Sequence, residues 1–213
     1  MGVKRKGNYK KTENINKREK NRNLEKETEI DSINRLKIFY TNADCLTNKR
    51  SELLMIIQNS ERKPDVIAIV EVKPKYSRYS VTSSEFNIEG YTLFTNNLEE
   101  RTTRGIIVLV QREIDVKQIE IRGEVQEVVT IEIDSGTKEN KVTIMVIYRS
   151  PSSTKENDEA LFKLIDDVSE KGGCLLMVGD FNLPNICWDN WQTNEKKGDI
   201  EVKLIDKLRK NYL

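Results

Sequence analysis

Cys174-Leu175-Leu176-Met177-Val178 runs straight into Gly179-Asp180-Phe181-Asn182. An unbroken apolar run of this length reads as a strand buried on both faces. Asp180 and Asn182 then sit where that strand ends. Ahead of it, Glu156–Lys171 carries Leu161, Leu164, Ile165 and Val168 on one face of a predicted helix. Gly172-Gly173 stops that helix, and Val142–Tyr148 before it is strand-like. This is a β-α-β passage. A second one opens the patterned part of the chain: Leu36–Asn42 as strand, Asn48–Ser60 as a helix with Leu53, Leu54, Ile56 and Ile57 on one apolar face, then Asp65–Val70 as a buried strand after Pro64. Between the two passages lie Tyr91–Asn96, Gly105–Gln111, Val116–Ile121 and Glu127–Ile133, all strand-like. Asp134-Ser135-Gly136 reads as a turn, and a last helix is expected over Gly198–Lys210. Alternating strands and helices around an antiparallel middle give an α/β or α+β class with two packed sheets.

The 213 residues are 37% hydrophobic and 33% charged, more charge than a compact domain carries. Met1–Arg22 holds a strong excess of Lys and Arg although the whole chain sums only to +1. Residues 1–34 therefore read as a basic, unpacked tail, and residues 35–213 as one domain. Such a tail suits a phosphate-rich partner; the plainer reading is a solvated leader. The three cysteines form no C-x-x-C pair, so there is no zinc signature, and a reduced, intracellular setting is the simplest expectation. No stretch reads as a signal peptide or a membrane span. The sequence has no histidine, which excludes Ser-His-Asp, Cys-His and other imidazole chemistry within it.

Three predicted strands end in polar residues: Asn42 and Asp44, then Glu71, then Asp180 and Asn182. Open sheets converge such ends on a crevice, and carboxylates and amides are hard donors suited to Mg²⁺. Each is ordinary alone, as a turn former or a solvated strand end. Their order is more specific: Asn42-Ala43-Asp44, Glu71 with Lys73, Tyr148-Arg149-Ser150-Pro151, and Gly179-Asp180-Phe181-Asn182. That order resembles the endonuclease/exonuclease/phosphatase superfamily. Tyr40-Thr41-Asn42-Ala43-Asp44, Leu46-Thr47-Asn48-Lys49, Arg104-Gly105 and Tyr148-Arg149-Ser150-Pro151-Ser152-Ser153 bring it closest to the N-terminal endonuclease of jockey-type, LINE-like non-LTR retrotransposons. The resemblance spans about Leu36 to Leu213.

The resemblance implies a DNase I-like, four-layer α/β sandwich with two central mixed β-sheets. It implies a Mg²⁺-dependent phosphodiester hydrolase, with Mn²⁺ as substitute, that nicks target DNA and uses no other small-molecule cofactor and no membrane. Glu71 would be the principal metal ligand, with Asp44 and Asn42 near the same ion. Asp180 would orient or deprotonate water, Asn182 would bond the phosphate or hold Asp180, and Tyr148 would bond the scissile phosphate. Lys73 and Arg149 would add positive field. A reverse transcriptase domain belongs to the parent element and is absent here; Lys4-Arg5-Lys6 and the substrate point to the nucleus. The family pattern closes with an Asp-His pair after further strands, whereas this chain has no histidine and stops within a helical pattern. The second sheet is therefore expected to lack its last strands. That leaves open a second reading, an inactive truncated remnant that binds nucleic acid through its tail, and a third in which a phosphoinositide, nucleotide or sphingolipid replaces DNA.

Overall fold

Val66–Val70, strand β2, has every side chain fully buried, as its β-branched run requires. It lies inside the first sheet, with a neighbour on each side. The computed structural model describes residues 36–76, 81–120, 125–134, 141–194 and 199–211. The expected tail, the Asp134-Ser135-Gly136 turn beyond Asp134, and Ile121 lie outside them.

β1 (Ile38–Asn42) runs parallel to β2, pairing Asn42 with Val70. The crossover between them holds a 3₁₀ turn at Leu46–Asn48 and helix α1, Arg50–Gln58. Only Leu53 and Ile57 of α1 are buried, while Ile56 is 41% exposed. The expected four-residue face is thus narrower: one short helix covers the sheet with a single i, i+4 stripe. β3 (Tyr91–Asn96) and β4 (Ile106–Gln111) complete a mixed sheet in the order β1-β2-β4-β3.

The second sheet has the order β5-β6-β7-β8, from Val116–Gln118, Val128–Ile133, Val142–Tyr148 and Cys174–Asp180. β5, β6 and β7 are antiparallel, and β7 runs parallel to β8 through helix α2, Lys155–Ser169. Thr154 caps α2 by accepting the Asn157 N–H, and Leu161, Leu164, Ile165 and Val168 are buried as patterned. Beyond β8 come a two-residue hairpin, β9 (Ile186–Cys187) with β10 (Gln192–Thr193), and helix α3, Ile200–Lys210. The sequence pattern does not announce the hairpin, because two-residue strands are too short to carry a period.

The two sheets stack face to face, β1 over β8, β2 over β7 and β3 over β6. Ile67 and Ile69 of β2 join Leu53 and Ile57 of α1 in one cluster. Met145 and Ile147 of β7 join Leu161 and Ile165 of α2, and Leu204 and Leu208 of α3, in another. The opposite faces, including Val66, Ala68, Val146 and Ile144, are also at zero exposure, so each sheet is covered on both sides. The result is a helix–sheet–sheet–helix sandwich.

β8 corrects one expectation. It is not fully buried: Cys174 is exposed and the rest half-buried. Among the described residues it pairs only with β7; its outer side borders a groove of about 980 Å³ lined by Leu175, Met177, Phe181, Trp188 and Trp191. Gly179 is fixed by close packing, since a Cβ there would lie 2.0 Å from the Ile147 carbonyl oxygen.

Candidate active site

Parallel pairing brings the polar strand ends together. Asn42 pairs with Val70, so Glu71 is next to it at the end of β2. Tyr148 pairs with Asp180 at the ends of β7 and β8. Because β1 stacks on β8 and β2 on β7, these four ends share one rim.

Asn42 joins the two sheets there. Its Nδ2 donates to Glu71 Oε1 at 2.9 Å and to Asp180 Oδ2 at 3.0 Å. Its Oδ1 accepts the Asp44 N–H at 3.1 Å. Asp180 Oδ1 accepts the Asn182 N–H at 3.0 Å, and Asn182 Nδ2 donates to the Arg149 carbonyl at 2.8 Å. Asn182 therefore holds Asp180 through its backbone, and its side chain ties the loop after β8 to the end of β7. Asp44, Glu71 and Asn182, together with Glu127, all adopt positive φ without being glycine. Left-handed backbone at non-glycine residues costs energy and gathers at functional sites.

The start of β4 closes the rim. The Arg104 guanidinium donates to Asp44 Oδ1 at 2.6 Å and also to Glu71 Oε2. Glu127, just before β6, accepts the Arg104 and Gly105 N–H groups on Oε1 at 2.6 and 3.0 Å, linking the two sheets a second time. Burial pushes its carboxyl above the ordinary range, against the pull of those two N–H groups and of Lys73.

The cleft is electronegative. Tyr40 is pushed up to about 12 by burial and by the Asp180 and Glu71 charges. Tyr148 is raised by burial and by Glu71 beside it, so its hydroxyl remains a proton donor at neutral pH. The donor set suits a small, hard cation. Glu71 and Asp44 both turn an oxygen to one positive group, the Arg104 guanidinium, and these two carboxylates are the residues that could hold a cation. Among the described residues no three His, Cys, Asp or Glu side chains form a ready-made metal cage; Mg²⁺ requires only one or two carboxylates, with water and phosphate oxygens completing its shell.

Of the residues singled out in the sequence, Asn42, Asp44, Glu71, Tyr148, Asp180 and Asn182 are all brought to this rim. Lys73 and Arg149 are not cleft charges. Lys73 is 2% exposed and donates to the Glu100 and Thr103 carbonyls, bracing the loop that carries Arg104. Arg149 is buried in a two-pronged pair with Asp158 of α2, at 2.8 and 3.0 Å. Arg104 and Glu127 are site residues for which the sequence alone suggests no role.

No family model matches the sequence, and no curated protein matches it. Solved structures do share its fold. The endonuclease domain of TRAS1, a telomere-specific non-LTR retrotransposon, is 18% identical over 83% of this chain and 72% of its own, with a TM-score of 0.56. An AP endonuclease from Leishmania major is 11% identical over 83% and 66%, with a TM-score of 0.61. A 3′ phosphatase from Neisseria, bound to a product DNA hairpin, is 14% identical over 83% and 71%, with a TM-score of 0.53. Two stacked mixed sheets with helices on both outer faces give this chain the DNase I-like fold that these solved structures share.

Proposed function

We propose that the chain is a metal-dependent phosphodiester hydrolase that cuts DNA, of the endonuclease type carried by non-LTR retrotransposons. The observation that carries this reading is the single amide of Asn42 holding Glu71 and Asp180, carboxylates from opposite sheets, within 3.0 Å of its nitrogen. One carboxylate then serves a cation and the other a water, side by side.

In this reading Glu71 and Asp44 hold Mg²⁺ or Mn²⁺, which when bound neutralises charge developing on the phosphate oxygens. Asp180, pinned through each oxygen by Asn42 and Asn182, keeps lone pairs free toward the cleft and takes the proton of the attacking water. The Tyr148 hydroxyl donates to a phosphate oxygen. Asn182 keeps one amide N–H beyond its bond to Arg149 and can donate as well. DNA as substrate is supported by the likeness to proteins named for DNA work, and the retrotransposon setting by the TRAS1 domain together with the motif wording. A reverse transcriptase partner and a nuclear location follow from that setting.

The metal centre is tested by adding sub-stoichiometric Mn²⁺ to the ¹⁵N-labelled chain. Paramagnetic broadening is expected at amides 42–44, 71–72, 104–105 and 180–182. Broadening centred elsewhere contradicts the reading.

A further inference from the structure

The Arg104 guanidinium touches both candidate metal ligands, Asp44 and Glu71, while its Nε is buried and has no partner. A buried donor left unpaired is costly, so this position is held by the two carboxylates rather than by a fitted guanidinium pocket. The Asp44 side chain is 78% exposed, against 14% for Glu71 and 19% for Arg104. Exposed pairs contribute little, so Glu71 supplies most of the hold.

The backbone beneath the side chain is fixed. The Arg104 N–H donates to Glu127 at 2.6 Å and its carbonyl accepts the Lys73 N–H at 3.0 Å. Thr103 is buried, and its carbonyl accepts Lys73 Nζ at 2.7 Å. Any change at this point is therefore a swing of one side chain, not a movement of the loop. A divalent ion brings twice the charge of the guanidinium to the same two carboxylates, so the two compete for their oxygens.

We propose that Arg104 is a built-in competitor for the metal: its guanidinium fills the cation position between Asp44 and Glu71 and must leave when a divalent ion enters. This rests on the metal-centre reading above. The carboxylates are thereby kept paired and oriented without metal, and apparent metal affinity is set by the exchange of one cation for another. Loading the site also frees a planar, five-donor fork at the cleft, a group suited to phosphate oxygens.

The test is Mn²⁺ binding to the full chain, with free Mn²⁺ read from its paramagnetic resonance signal, for wild type, Arg104→Gln, Arg104→Lys and Glu71→Gln. Arg104→Gln is expected to bind about tenfold more tightly or better, as removing a positive charge a few ångströms from a divalent site should. Arg104→Lys should fall between, and Glu71→Gln should lose the site. In wild type, saturating Mg²⁺ should speed exchange of the buried Arg104 Nε–H with water, a change that a side chain left in place would not undergo and that needs no variant. Equal Mn²⁺ affinity in wild type and Arg104→Gln, with binding still lost in Glu71→Gln, overturns the competition and leaves the metal centre standing. Failure of every form to bind Mn²⁺ overturns both.

Discussion

Asn42 carries more of the site than any carboxylate does. It holds Glu71 from the first sheet and Asp180 from the second, keeping two like charges oriented side by side. Replacing it with Ala is expected to lower the rate of plasmid nicking by about 10²-fold, the scale of losing one preorganised donor. The urea midpoint should stay close to wild type, because Asn42 is exposed. A fall in stability that accounts for the lost rate would contradict this role. At this scale the sequence is partly legible. Asn42, Asp44, Glu71 and Asp180 stand out because polar residues follow predicted apolar strands. Glu127 does not, and Arg104 stands out only as part of the family wording, without a role, because a charged residue beside a strand reads as solvated until folding supplies its partner. Arg104 meets Glu71 across 33 positions and Asp44 across 60. Arg149 and Lys73 mislead for the same reason: their buried partners, Asp158 and the carbonyls of Glu100 and Thr103, are set by tertiary contacts.

Among the elements, continuous β-branched runs are the reliable signal. Asp65–Val70 and Gly105–Gln111 become the central strands β2 and β4, while β8, equally apolar in sequence, becomes a half-buried strand paired on one side among the described residues. Periodicity reports how apolar a strand is, not how many neighbours it acquires. The pair β5–β6 offers an element-scale test. Lys117 of β5 and Lys141, just before β7, both bond Glu132 of β6, at 2.9 and 2.8 Å. They hold its carboxyl below the ordinary glutamate value of 4.5. A depressed carboxyl contributes stability that is fully present above its unfolded pKa and is lost as pH falls through its folded one. Glu132→Gln should therefore lower the urea midpoint at pH 7 and converge with wild type well below pH 4.5. A gap between the two that does not narrow with acid would contradict the assignment.

Over the whole molecule, two β-α-β passages, one at each end of an antiparallel run, are enough to build two stacked sheets whose strand ends meet. That arrangement is legible because each passage is local. The stacking of β1 on β8 that unites Asn42 with Asp180 is not, since it joins residues 138 positions apart. The proposed function makes this meeting point the place where phosphodiesters are hydrolysed. The full chain is incubated with supercoiled plasmid in Mg²⁺ and in EDTA, beside Asp180→Ala. Under that proposal, the plasmid is converted to nicked circles only with the metal, and the conversion is lost in the variant. Binding of the plasmid without any nicking, or nicking that survives both EDTA and Asp180→Ala, would contradict it.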